Sequence, residues 1–139
     1  MTINDIRALI TTRLINLGLS VDGMEIDGEQ YDPGANDAWV RVNVQFNTGA
    51  ITTLGGEGVP RRRDRIGAAY INVFTPLKGQ SVYDNDELCE QILQGFEGVW
   101  QDPCIRYGQP TGVRVETSGR DANWWLQTVV VPFTAETVR

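Results

Sequence analysis

The stretch RIGAAYINVFTP, residues 65–76, constrains the fold more than any other. A half-buried strand alternates apolar and polar residues because one of its faces meets water. Here Ala68, Ala69, Tyr70, Ile71, Val73 and Phe74 leave both faces apolar until Pro76 ends the run. A strand of this kind must be covered on both sides, so it lies in the middle of a sheet or at an interface.

Partners for it are legible nearby. In AWVRVNVQF, residues 38–46, Ala38, Val40, Val42, Val44 and Phe46 alternate with Trp39, Arg41, Asn43 and Gln45, which gives one core face and one half-polar face. TGVRVETS, with Val113 and Val115 inward, and NWWLQTVVVPFTA read as two more strands, joined through the turn-forming cluster GRDAN as a hairpin. Ile6, Ile10, Leu14 and Leu17 form one stripe over residues 2–17, with Thr2 as N-cap, Gly18 as stop, and Asp5, Thr12 and Asn16 on the wet face. Leu88, Ile92 and Phe96 recur at helical spacing in DNDELCEQILQGFEGVW, where Asp84 to Asp86 supply the cap and Gly95 weakens the end. The order helix, strand, strand, helix, strand, strand predicts an α+β domain: a mainly antiparallel sheet of about four to five strands with two helices packed on one face.

At 139 residues, with 41% hydrophobic and 22% charged, the chain matches one globular domain spanning 1–139. The N-terminus lacks the basic start of a signal peptide and no apolar run approaches a bilayer's thickness, which predicts a cytosolic protein without a membrane partner. No histidine is present, which removes the commonest general base and zinc ligand and every Ser-His or Cys-His pair. Cys89 and Cys104 have no metal-site or disulfide-framework spacing and read as small buried hydrophobes.

Carboxylates crowd two segments. From Asp22 to Asp37 there are acids and no bases, broken by DG twice and by DPG, as in an irregular connection. Their spacing does not fit a calcium loop of the EF-hand kind. Asp84, Asp86, Glu87 and Glu90 sit where a helix begins, and negative charge there stabilises the helix without catalysis. No residue is assigned a catalytic, cofactor-binding or metal-binding role, and the chain reads as no enzyme.

Arginine poses the sharper question. Eleven of the 12 basic residues are arginine, in a chain of net charge −6, and Arg61, Arg62, Arg63 and Arg65 fall within five positions. They follow NTGAITTLGGEGVP, residues 47–60, whose glycines predict a flexible excursion that orders on contact. The bland reading is a solvated loop end. A nucleic-acid contact would have to be local, because the molecule as a whole repels phosphate, Asp64 interrupts the cluster and no aromatic residues interleave it. GGEGVP leads into a strand and not a helix, so it is no phosphate loop. A contact with another subunit suits arginine's planar fork. Trp124 and Trp125, adjacent on a strand, point to opposite faces; one packs under the helices and the other is a candidate interface anchor, as is Trp39.

Taken together, VPRRRDRIGAAYINVFTP followed by a glycine-containing link and a helix, the terminal NWWLQTVVVPFTAE with its paired Trp and late Pro-Phe, and AWVRVNV upstream resemble the bacteriophage tail-terminator-like family. The resemblance covers most of residues 38–136 and the order of elements. It implies a structural virion protein at the head-proximal end of the tail, assembled in the host cytoplasm. Subunits of that family form a ring, typically a hexamer, on the last ring of the tail tube protein, stop its polymerisation and meet the head-tail connector protein. DNA passes through the lumen without sequence-specific binding. In such a ring Arg61, Arg62, Arg63 and Arg65 would face a neighbour's acidic 22–37 segment, with Trp124 or Trp125 as a second contact. A head-tail neck or completion protein, or a nucleic-acid-binding module using the Arg61–Arg65 cluster, are the alternatives.

Overall fold

The computed structural model describes residues 3–19, 21, 23–26, 38–51, 62–77, 81–101, 105–108, 112–121 and 123–138; residues 47–51, 62–65, 100–101 and 136–138 are described by backbone alone. The elements run α1 (Ile3–Asn16), β1 (Gly23–Glu25), β2 (Trp39–Ile51), β3 (Arg62–Pro76), α2 (Ser81–Phe96), β4 (Trp100–Gln101), β5 (Ile105–Tyr107), β6 (Arg114–Asp121) and β7 (Trp124–Val138). This is an α+β fold on a mostly antiparallel sheet of order β1-β2-β3-β7-β5-β4, with β6 pairing β7 beside that path.

The doubly apolar strand is central: β3 pairs β2 on one side and β7 on the other over its length. The four long strands are those read from the sequence. Three short ones, β1, β4 and β5, raise the count to seven among the described residues, because two or three residues carry no readable period. β1 is also the one parallel partner among the described residues, pairing Gly23 to Glu25 with Trp39 to Arg41. It falls inside the acidic connection that read as irregular.

Both helices lie on one face. Ile6, Ile10 and Leu14 of α1 and Leu88, Cys89, Ile92 and Phe96 of α2 share a single core with Val40, Val42 and Val44 of β2, Ile71 and Val73 of β3, and Val129, Val131 and Phe133 of β7. These are alternate positions of each strand, so one face of the sheet faces the helices. Burial of that face is the main driving force of the fold.

Other boundaries differ from the sequence reading. β2 continues to Ile51 through an irregular register between Phe46 and Gly49, so residues 47–51 are strand and not part of a flexible excursion. β3 starts at Arg62, and β7 accompanies it to Val138, where pairing across strands overrides local glycine content. α2 begins at Ser81, three residues before the acidic cap inferred from sequence, which puts Asp84 in the first turn. Trp100 has already entered β4.

Val115 is 39% exposed and not inward, because β6 lies one strand outside the helix-covered core and pairs with β7 alone; Val113, half-buried, does pack against the core. Gly18, at φ 68°, closes α1 in the left-handed conformation that a glycine tolerates. Gly95 is a close-approach position: a Cβ there would lie 2.5 Å from Leu17, and its carbonyl accepts from Arg13 Nε at 2.8 Å. The glycine that costs the helix propensity thereby locks α2 onto α1.

Candidate functional site

The residues singled out from sequence fall at the two ends of β3. Trp124 pairs with Pro76 and Trp125 with Thr75, whereas Arg62 pairs with Val138, Arg63 with Thr137 and Arg65 with Ala135. Arg62 and Pro76 are fourteen residues apart in one strand, roughly 45 Å at about 3.3 Å per residue. The arginines and the tryptophans therefore cannot act on one small ligand, and they are separate surfaces.

At the tryptophan end the two faces differ, as adjacent strand residues require. Trp124 meets Trp39 edge-on at 6.1 Å, and Trp39 stacks on Phe74 at 4.2 Å and 7°. The Arg41 guanidinium lies over both Trp39 and Phe74, 5.2 and 5.3 Å from their centroids, and its Nε donates to Glu25 at 2.5 Å. This cluster occupies the face that the helices leave uncovered. Trp39 and Phe74 are only 5% and 4% exposed. The chain's own arginine and rings bury Trp39, which reduces its value as an anchor for another protein.

Trp125 shares the helix-bearing face with Gln127 and Val129 and is half-buried. Below it runs a buried polar network. Asn85 of α2, fully buried, donates through Nδ2 to the Val73 carbonyl at 2.8 Å, the Trp125 carbonyl at 2.9 Å and Thr75 Oγ1 at 3.2 Å. Thr75 Oγ1 donates to the Ser81 carbonyl at 2.9 Å. Gln127 Nε2 donates to Asn85 Oδ1 at 3.0 Å and to Asp86 Oδ1 at 2.7 Å, and Thr117 of β6 donates to Gln127 Oε1 at 2.9 Å. Three strands and a helix are pinned together, with almost every polar group satisfied. Trp125 Nε1 is the exception, buried without a partner among the described residues.

Asn85 and Gln127 were missed by sequence reasoning. A polar residue one helical turn before Cys89 and Leu88, on the stripe that becomes the core, was the available signal. Cys89 is buried as expected, and burial reinforced by Asp86 pushes its thiol from 9.0 up to about 12. It is an inert packing group. Cys104 lies outside the described residues.

Arg61 lies outside the described residues, and Arg62, Arg63 and Arg65 are placed by backbone register only. That register changes their setting: they stand on a central strand flanked by Ile51 and Thr137 at Arg63 and by Gly49 and Ala135 at Arg65. Most of the acidic 22–37 segment is outside the described residues. Glu25 within it already engages Arg41 of its own chain. Among the described residues no group of three His, Cys, Asp or Glu is placed to hold a metal ion, and no helix is long and apolar enough to cross a membrane.

No protein-family model and no curated protein matches the sequence. A solved structure superimposes with a TM-score of 0.67 over 97% of this chain and 96% of its own, at 14% identity. That likeness is one of fold.

Proposed function

We propose that this chain is a structural virion protein of the tail-terminator kind, whose subunits form a ring that caps the tail tube and offers a joining surface to the head-side connector. The observation that carries this reading is the three-strand extension of β2, β3 and β7. Their pairing runs on past the last described core residues, Val44 and Ala135, to Ile51, Arg62 and Val138. A paired sheet end set with Arg62, Arg63 and Arg65 is a firm platform for another protein, and the segment pattern shared with tail terminators supports the same reading. Capping is then geometric: one ring face matches the last ring of the tube, and the other no longer repeats the tube's self-complementary surface. Repeated modest contacts around the ring add up by multivalency.

The test is polymerisation of tail-tube protein with and without this chain. Tubes that stop at a fixed end decorated by a ring, seen by electron microscopy, are the expected result. Tubes of unchanged length without end decoration would overturn the reading. Binding to duplex DNA that falls steeply with salt and vanishes in Arg61→Ala/Arg62→Ala/Arg63→Ala would instead support the nucleic-acid module.

A further inference from the structure

The outward side of α2 sets an exposed aromatic residue among acids. Tyr83, Glu87, Glu90, Gln94 and Glu97 recur three or four residues apart and are all exposed. Tyr83 is 73% exposed and Val82 41%, an unburied apolar pair at the start of a helix that buries Leu88, Ile92 and Phe96. The helix carries Asp84, Asp86, Glu87 and Glu90 and no basic residue. Gln94 donates to Glu90 at 3.0 Å, but Asp84, Glu87 and Glu90 form no ion pair among the described residues. Like charges at helical spacing repel, and Glu90 stands past the turn where the helix dipole rewards acids. An exposed aromatic residue beside unneutralised charge has the composition of a binding surface.

The densest counter-charge in the same sequence, Arg61 to Arg65, stands at a place this helix start cannot reach. Asn85 holds the first turns of α2 to the Val73 and Trp125 carbonyls, at the Pro76 end of β3. Arg65 is ten residues further along that strand from Thr75, roughly 33 Å at about 3.3 Å per residue. Of the described arginines of the body, Arg7 lies over Phe46, Arg13 over Phe96 and Tyr107, Arg41 pairs with Glu25 and Arg114 with Glu116, and Arg106 is also engaged, whereas Arg120 of β6 is a single exposed cation. We infer that the outer face of α2, from Val82 and Tyr83 through Glu87 and Glu90, is the docking surface for the Arg61–Arg65 segment of a second copy of this chain. Acceptor and donor sit at opposite ends of one subunit, so the contact is head to tail, and it closes into a ring if the rotation between neighbours permits. The inference rests on the ring reading and replaces the 22–37 segment as the arginines' partner.

Two charge-reversed variants test it, Arg62→Glu/Arg63→Glu and Glu87→Arg/Glu90→Arg, with mass read by light scattering across concentration at low salt. Wild type is expected to self-associate, and each variant alone to need at least about tenfold more protein to do so. An equimolar mixture of the two regains the wild-type mass, because every seam is again between opposite charges; that recovery also excludes misfolding. Wild-type rings that both reversals leave intact, or a mixture that fails to recover, overturn this seam while leaving the ring standing. A wild type that stays monomeric overturns the seam. If it also fails to decorate tube ends, the tail-terminator reading falls with it.

Discussion

The two helices lie on the same face of the sheet and bury comparable stripes, yet their outward sides have opposite fates. α1 carries Arg7 and Arg13, and both cations are spent inside the subunit: Arg7 lies 5.3 Å over Phe46, and Arg13 lies 5.7 Å over Phe96 and Tyr107 while donating to the Gly95 carbonyl. α2 carries four acids and no base, and it leaves Tyr83 in water. α1 finishes its bonding within the chain, whereas α2 keeps unbalanced charge on its surface. A helix whose electrostatics close at home stabilises the fold, and one whose electrostatics stay open is suited to a partner.

Breaking the shared core should have the largest effect and should not distinguish the helices. Phe96 is fully buried and meets Tyr107 edge-on at 5.0 Å. Phe96→Ala is expected to cost about 3–5 kcal/mol, and Leu14→Ala on α1 about 2–5 kcal/mol. Chemical denaturation measures both, and the m-value should stay unchanged if only stability moves.

The polar network comes next, and it belongs to α2 alone. Asn85→Ala removes its hydrogen bonds to the Val73 and Trp125 carbonyls and leaves Gln127 Nε2 with Asp86 alone. Each buried group left unsatisfied costs about 1–3 kcal/mol. Hydrogen exchange should show the first turns of α2 opening before α1, which has no equivalent buried pin among the described residues. Equal loss of protection in both helices would show that the network holds the whole layer and not one helix.

How far the sequence revealed this arrangement depends on the length over which a pattern repeats. β3 announced its central place because seven consecutive positions, Ala68 to Phe74, lack a wet face, and only a strand between two others supplies that environment. The helix stripes of Ile6, Ile10 and Leu14 and of Leu88, Ile92 and Phe96 were equally plain. β1, β4 and β5 were invisible, since their two or three residues are placed by neighbouring strands. Val115 was misread because alternation tells which residues share a face, but not how far the helix layer extends over it. At the candidate site, the opposite-facing Trp124 and Trp125 followed from strand geometry. The inward turn of Asn85 did not, because a helix beginning at Ser81 rotates it from cap to core.

Alkaline pH probes the ground beneath α2. Burial pushes Cys89 from 9.0 to about 12 and Tyr107 from 10.0 to about 12, with Asp86 adding to the first and Arg13 partly opposing the second. Both groups are neutral when protonated, so the unfolded chain loses these protons first. Stability should be full below about pH 9 and fall as pH rises toward 12. Cys89→Ala should flatten the lower part of that decline. In the folded protein Cys89 should stay unmodified by thiol reagents at pH 8, because it is both protonated and buried.

The smallest effect is the one that separates the helices most sharply. Glu90→Lys places a cation four residues after Asp86 and three after Glu87, the order in which an acid precedes its base on a helix. It should raise stability by about 0.2–0.5 kcal/mol per favourable pair, read as a small increase in thermal midpoint. The same substitution should weaken self-association if α2 receives arginines from a neighbour. A change of matching charge on α1, Thr12→Lys/Asn16→Lys on its exposed side, should leave association unaltered. A gain in stability coupled to a loss of assembly would show that the acids of α2 are kept for contact at the expense of the helix itself. A gain in stability with assembly unchanged would make that acidic face a solvated surface and erase the functional difference between the two helices.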